Sequence, residues 1–541
     1  MLFTSRVNRI WLIVLGSLVV VYFTFYMFLG DGASLLRPSR LPATDQSPSD
    51  TASLTTDPAH ADPVDTISKP AAAIGAITSY PSDYYNQSRD DEWCKSRFSS
   101  QYLDFLASHH LPYCESGSRS SLECFRNVQN DSFCVAKGVI LDHSRPEGQK
   151  DTAIDCKLRN FTEETMKSPE AAAELYGVKN VADMDSYFFS TGVMEQLKWW
   201  DFNSAEQSGD ARLLCDAESN DHKWTLMAKR EGNGNIWHKL MELWQAMITL
   251  DALQMAIDPA TQKPYLSSAE LSNVQIMYED DEDQVYDSWW PMLTPGSQPV
   301  RKSKVGPACL GNVILPLAGS SSSFWQSHWG DQDCHDSFLI DAFLRRLFRH
   351  LGFEYAKHGA ENGTTVTIID RRGETRKIFN LAGRVEKLRK RWPDVDFQVI
   401  DFATLPLKEQ VYIVHKSDVL IGVTGAAMTH ILWLPEESSV AEIMMPDFQY
   451  SGFRNLAKMK GLHYYTTHAI NITANGETHE DWLAREGIQD PPSDTVEKRN
   501  WQMEPWLYLT DEQFQTLIDA AIWGQLNRGM KTADVVPIYT S

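Results

Sequence analysis

The sequence predicts an α/β protein: a membrane-tethered body whose C-terminal half is a doubly wound parallel sheet. Three observations lead there. Strand-length β-branched runs alternate with helical segments from residue 365 onward, a turn of small residues joins a buried strand to a helix at 424–427, and one long apolar run stands near the N-terminus.

Residues 10–29 form a 20-residue uncharged apolar run. At about 1.5 Å per helical residue, such a run spans the roughly 30 Å hydrocarbon core of a bilayer. The competing reading is a cleaved signal peptide, but its apolar region runs only about 7–15 residues. No small-x-small cleavage site follows before Asp31. Arg6 and Arg9 precede the run, so the positive-inside rule places residues 1–9 in the cytoplasm and the rest in the lumen, against a weaker signal from Arg37 and Arg40. This is type II topology. Residues 30–80 are rich in Pro, Ser, Thr, Ala and Asp without periodicity and read as a disordered stem.

With 541 residues, 43% hydrophobic and 11% aromatic, the chain is long enough for two or three domains with a substantial core. A formal charge of −22 leaves no basic footprint, which argues against nucleic acid as a partner. All eight cysteines lie between Cys94 and Cys334, fitting up to four disulfides in an oxidising compartment. The close spacing of Cys94, Cys114, Cys124 and Cys134 suggests a stapled N-terminal cap. Glycosylation sequons at Asn86, Asn130, Asn160, Asn362 and Asn471 all follow the apolar run.

The body divides near residue 335 into a cysteine-bearing part, 81–335, and a cysteine-free part, 336–541. The first contains a predicted helix from Lys239 to Ala256. In the second, Thr365–Ile369 is a strand, Thr375–Trp392 a basic amphipathic helix, Asp396–Ile400 a strand and Lys408–Lys416 a helix. Val419–Ile421 is a buried strand, Met428–Leu434 a helix and Ser439–Ile443 a further strand. The helix Thr510–Gly529 is placed to pack back across the junction.

Four constellations bear on chemistry. Asn235 and His238 stand three apart at a helix start after a polar glycine loop, so both face one cleft; His238 suits a contact to a sugar hydroxyl or the role of base. The structural alternative is that Asn235 caps the helix and His238 packs beside Trp237. Arg371, Arg372 and Arg376, followed by Asn380, come directly after a strand, where guanidinium groups can grip a diphosphate and stabilise a leaving group without a metal. A solvated basic turn is the alternative. The small side chains of Thr424, Gly425, Ala426 and Ala427 at a helix N-terminus let a phosphate approach, and Glu442 ends the next strand where it can accept from a ribose. Last, Asp281-Glu282-Asp283 has the acid-x-acid spacing that holds Mn²⁺, but it lacks a strand-end setting and reads better as a solvated acidic loop. Asp331, Asp333, Cys334 and His335 are dense but lack zinc-finger spacing.

The blocks CKLRNF at 156–161, KREGNGNIWHKLMELW at 229–244, RRGETRKIFN at 371–380 and GVTGAAMTHILWLPEESSVAEI at 422–443 resemble glycosyltransferase family 61, most closely its EGF-domain-directed N-acetylglucosamine transferases. The resemblance implies a GT-B fold, two Rossmann-like domains facing a cleft with nucleotide on the C-terminal one, and an inverting, metal-independent reaction with a UDP-sugar donor. It implies no other cofactor. His238 with Asn235 would serve as the catalytic pair and Arg376 as a catalytic cation. Arg371, Arg372, Asn380, Thr424, Gly425, Ala426, Ala427 and Glu442 would hold the nucleotide sugar. The donor is UDP-N-acetylglucosamine or UDP-xylose; the acceptor is a hydroxyl on a secretory-pathway glycoprotein, N-glycan or polysaccharide. The family pattern has His-Gly-Ala-Gly where this chain has Thr424-Gly425-Ala426-Ala427, so Thr424 can donate a hydrogen bond but cannot act as acid or base. The final residues Ile538–Ser541 are no retention signal of the KDEL type, which favours a Golgi membrane over the endoplasmic reticulum. Two other readings stand beside this one: a metal-dependent GT-A transferase using Asp281 and Asp283, and an inactive membrane-tethered glycan-binding protein.

Overall fold

Two sheets carry the architecture, and the burial of their strands explains the sequence patterns that announced them. The computed structural model describes residues 75–84, 88, 90–145, 150–184, 191–202, 223–231, 234–326, 329–355, 363–373, 375–446, 448–470, 484 and 506–527. The predicted tail, the apolar run 10–29, the stem to residue 74, Cys215, Asn86, Asn362 and Asn471 lie outside the described residues. Among the described residues no helix is long and apolar enough to cross a membrane. Asn130 and Asn160 are both exposed, the latter capping a short helix.

The second sheet is parallel throughout. Its strands Thr364–Ile369, Val395–Ile400, Val419–Val423, Ser439–Met444 and His463–His468 take the spatial order 2-1-3-4-5 by their sequence rank. Val419–Val423 and Ser439–Met444 are buried along their whole length, as expected of central strands covered on both faces. Leu381–Arg391 and Asp511–Leu526 cover one face around Ile421 and Ile518. On the other face Leu407–His415, Ala426–Trp433 and Gly452–Met459 join a core that continues into the first half of the chain. The strand order reverses between Thr364–Ile369 and Val419–Val423. In open α/β sheets ligands bind outside the carboxyl ends of the strands at such a switch point.

The first sheet is mixed. His110–Pro112, Ser121–Arg126, Ser132–Leu141 and Ala308–Leu315 run antiparallel in that order, and Trp224–Ala228, Gln275–Tyr278 and Val300–Arg301 extend the far edge in parallel. The helix Ile236–Met255 is buried along nearly its whole length. It packs against the helix Ser100–Ser108, the short turn Gly319–Ser321 and the 3₁₀-helix Ala426–Trp433. At Gly319 a Cβ would sit 2.8 Å from the Glu242 backbone nitrogen, so only glycine permits this approach. Trp244 stacks on Phe324 at 4.5 Å and on Phe343 at 4.7 Å, and the same core runs on to Trp433 and Leu456. Residues 69–541 form a single unit.

Four expectations are corrected. The helix predicted over Thr375–Trp392 is shorter, Leu381–Arg391, because Arg376 and Asn380 both adopt positive φ and the intervening Lys377–Ile378 pairs with Trp506–Leu507. The segment after the small-residue turn is a 3₁₀-helix beginning at Ala426. Residues 75–80 belong to the body despite their stem-like composition: the Thr78 amide donates to Met255 O and Ile77 bridges Ala256. Of the first four cysteines only Cys124 and Cys134 staple each other; Cys94 bonds to Cys334 and Cys114 to Cys156, so the four do not form one local cap. Cys309 is disulfide-bonded as well. The helix Asp511–Leu526 packs on the second sheet, against Ser439–Met444 and His463–His468.

The Cys94–Cys334 bond closes a separation of 240 residues and Cys124–Cys134 one of 10. Replacing both cysteines of the long loop with serine is expected to destabilise the fold by about 2–5 kcal/mol, more than the same change in the short loop. Denaturant unfolding under oxidising conditions measures both; equal losses would remove the loop-entropy argument.

Candidate functional site

The loops leaving the two strands at the switch point meet. After Val419–Val423 the chain turns at Thr424, whose amide donates to Ile443 O at 3.0 Å and whose hydroxyl donates to the same oxygen at 3.3 Å. Gly425 follows at φ +136°, ψ −173°, a conformation essentially restricted to glycine. A Cβ there would lie 2.3 Å from Arg376 Nη1. Ala426 and Ala427 then open the 3₁₀-helix, whose first amides have no partner within the helix.

Arg376 arrives from the loop after Thr364–Ile369 and donates from Nη1 to Thr424 O at 3.0 Å. Its Nε is buried and makes no hydrogen bond. Burial, and then the neighbouring Arg371, pull its pKa down to about 10. Arg371 donates from Nε to Thr375 O at 3.3 Å, and burial lowers its pKa too. Among the described residues neither guanidinium has a carboxylate partner. Two adjacent desolvated cations without a counter-charge are unfavourable in a protein alone and favourable against a bound anion. Guanidinium groups also present paired donors that match phosphate oxygens.

The other predicted nucleotide ligands are placed differently. The Arg372 side chain is 68% exposed and donates to Asp370 at 2.9 Å, so it is neutralised outside the corner. Asn380 is exposed, in the left-handed conformation, and makes no capping hydrogen bond to the helix it precedes. The Thr424 hydroxyl is used within the protein. Glu442 has 0% exposure, and its Oε2 accepts from the Tyr464 hydroxyl. A carboxylate waiting for a ribose needs contact with solvent, so that expectation is corrected. Burial pushes Glu442 up to about 7, with Tyr464, Thr424 and Arg454 acting in the opposite sense.

Across the body, Asn235 caps Ile236–Met255 by accepting from the Trp237 amide at 3.0 Å. His238 packs on Trp325, with ring centroids 4.4 Å apart, and its Nδ1 is hydrogen-bonded to the Glu231 carboxylate. An ionised carboxylate can only accept, so Nδ1 carries the proton and Nε2 is the basic nitrogen of the neutral ring. Glu231 is itself held: its amide donates to Glu242 Oε1 at 2.6 Å and its carbonyl accepts from Lys239 Nζ. The Glu231 carboxylate orients the His238 ring, and Glu231 was not foreseen because nothing in a glycine loop fixes which side chain folds back. Burial also raises Glu242 to about 7.

The acidic run is engaged by cations. Arg230 is buried, donates to Asp280 Oδ2 at 2.9 Å, and lies 3.7 Å from the Tyr278 ring centre. Arg301 donates to Asp283 at 2.7 Å, and Ser303 donates to Asp281. Among the described residues the only trio with metal-ligand spacing is Asp90, Cys94 and Cys334, whose sulfurs are already joined.

Gly425→Ala is expected to cost about 1–3 kcal/mol of stability through backbone strain and to displace Arg376, seen in thermal unfolding. Glu442 is protonated more readily folded, at about 7, than at its ordinary 4.5, so the stability it contributes is present below about pH 4.5 and lost as pH rises through about 7. Glu442→Gln should therefore match wild type near pH 4.5 and exceed it by about 3 kcal/mol at pH 8. Urea titrations at both pH values measure this; a difference independent of pH would refute it.

Residues 237–441 match the family Glycosyltransferase 61. The chain is also similar to EGF domain-specific O-linked N-acetylglucosamine transferases. It is 33% identical to that of Gallus gallus and 35% to that of Xenopus laevis, each over 136 residues covering 25% of both chains. To that of Drosophila melanogaster it is 28% identical over 160 residues, 29% of this chain and 30% of the relative. The chain thus spans about a quarter to a third of the length of the relatives it matches. Over residues 237–441 the chain is similar to the glycosyltransferases of family 61.

Proposed function

We propose that the protein transfers a sugar, N-acetylglucosamine in the favoured case, from a UDP-sugar to a hydroxyl of a secretory-pathway glycoprotein or glycan, with inversion and without a metal. The observation that carries this reading is the pair Arg371 and Arg376, two desolvated cations unbalanced by any described carboxylate at the switch point of a parallel sheet. Such a corner favours a diphosphate. The names of the similar proteins support the sugar; UDP-xylose is the alternative donor. We further assign the body to a GT-B arrangement, with 81–335 on the acceptor side and 336–541 on the donor side, held in a Golgi membrane in type II topology through residues 10–29.

In this mechanism the acceptor oxygen attacks the anomeric carbon on the face opposite the diphosphate. Its proton passes to His238 Nε2, and the bond from the anomeric carbon to the β-phosphate oxygen breaks, leaving its electron pair on UDP. Glu231 stabilises the imidazolium that forms. Arg371, Arg376 and the first amides of the 3₁₀-helix offset the charge developing on UDP.

The test is UDP release by the full chain in detergent, from UDP-N-acetylglucosamine and UDP-xylose, with a mixture of glycoprotein and glycan acceptors, with and without EDTA. EDTA-resistant turnover of one donor is expected. Turnover abolished by EDTA would redirect attention to Asp281 and Asp283, and UDP binding without turnover would favour a glycan-binding protein. Arg376→Ala is expected to weaken UDP binding about 10–100-fold by calorimetry, while thermal stability holds or rises because an unbalanced cation is removed. His238→Ala should lower kcat about 10²–10⁴-fold and leave UDP affinity unchanged.

A further inference from the structure

Trp329 has 58% of its surface exposed, unusual for a residue held so firmly. The segment that bears it is clamped to the helix Gly452–Met459: Asn455 donates to Gly330 O at 2.8 Å and accepts from the Gln332 amide at 2.9 Å. Lys458 adds bonds to Asp331 at 3.0 Å and to Gln332 O at 2.9 Å. The indole stands at 72° to Phe448 and 90° to Tyr450, with ring centres 6.2 and 5.6 Å away. Phe448 and Tyr450 lie nearly parallel to each other, at 19°. Together the three rings form a corner with an indole wall.

The place of this corner matters more than its shape. Phe448 and Tyr450 follow the strand Ser439–Met444, the parallel neighbour of the strand that delivers Thr424 and Gly425, and neighbouring strands lie about 5 Å apart. In the other direction Tyr450 touches Phe453 at 5.4 Å, Phe453 meets Trp237 at 5.8 Å, Trp237 meets Trp325 at 6.5 Å, and Trp325 lies against His238. An unbroken file of rings therefore joins Trp329 to the candidate base His238.

We propose that Trp329, with Phe448 and Tyr450, is a platform for a pyranose ring. One face of a pyranose is a patch of C–H bonds, slightly positive, which complements the negative face of an aromatic ring. The corner carries no formal charge, which suits a neutral sugar and not a phosphate. The Asp331 carboxylate, two residues along the chain from Trp329, is half exposed and has lone pairs beyond its bond to Lys458, enough to accept from sugar hydroxyls. The sugar comes either from the donor or from a glycan acceptor. The inference rests on the transferase reading, and its test separates the two.

The full chain in detergent, as wild type, Trp329→Ala and Trp329→Phe, is titrated by calorimetry with UDP, UDP-N-acetylglucosamine and N-acetylchitotriose. Trp329→Ala is expected to leave UDP affinity unchanged and to weaken one sugar-bearing ligand about tenfold, with Trp329→Phe recovering most of the loss. A loss confined to UDP-N-acetylglucosamine assigns the donor sugar; a loss confined to N-acetylchitotriose assigns an acceptor glycan. Equal losses for UDP and UDP-N-acetylglucosamine would mean that the platform stacks the base, overturning the proposal. So would unchanged affinity for both sugar ligands, or a wild-type protein that binds neither. Wild type that binds N-acetylchitotriose but not UDP would sink the transferase reading while leaving the platform to be judged on the oligosaccharide alone.

Discussion

Two guanidinium groups sharing one corner, with no carboxylate between them among the described residues, are the constraint around which the second half of this chain is arranged. Arg376 is kept there by a backbone carbonyl, Thr424 O, and by a glycine whose missing side chain leaves room for it. Arg371 stands close enough to depress the Arg376 pKa. Like charges held together in a half-buried site oppose folding, so other parts of the structure must supply the stability that the corner withholds. The fully buried strands Val419–Val423 and Ser439–Met444, covered on both faces, are that supply.

The first half of the chain meets the second through a shared apolar core, with polar contacts such as Arg346 to Asp83 and Asp251 beside it. Trp244, Phe324 and Phe343 stack within it, and the buried helix Ile236–Met255 reaches the 3₁₀-helix that starts at the small-residue turn. Apolar packing of the long helix on the 3₁₀-helix links the His238 loop to the turn. Interiors of this density have discrete arrangements and resist gradual deformation, which suits a site whose parts come from distant stretches of sequence.

What the sequence disclosed follows the range of the forces involved. Four of the five strands of the second sheet were legible to within a residue or two, because such a strand needs an apolar run and little else, whereas the edge strand His463–His468, whose residues HYYTTH form no apolar run, was not read. The position of the glycine turn and of the arginines after strand ends was legible, since that spacing is local. Thr375 to Asn380 misled because a helical periodicity there is interrupted by two residues at positive φ, a choice made by pairing with Trp506–Leu507 far along the chain. Glu442 sits at a strand end in the sequence yet is sealed in by Tyr464 from the next strand. The Glu231–His238 pair and the disulfide partners are tertiary facts with no local trace.

The attachment of residues 75–78 to the end of the long helix has a mechanical meaning. His238 stands at the start of that helix, and the amide of Thr78 is bonded to the carbonyl of Met255, its last residue, about 25 Å away at 1.5 Å per residue. Whatever pulls on or crowds the chain ahead of residue 75 acts at the opposite end of a rigid rod from the histidine. Strain arriving from that side is absorbed by the Ile77–Ala256 bridge, and the spacing between the histidine and its surroundings is insulated from it.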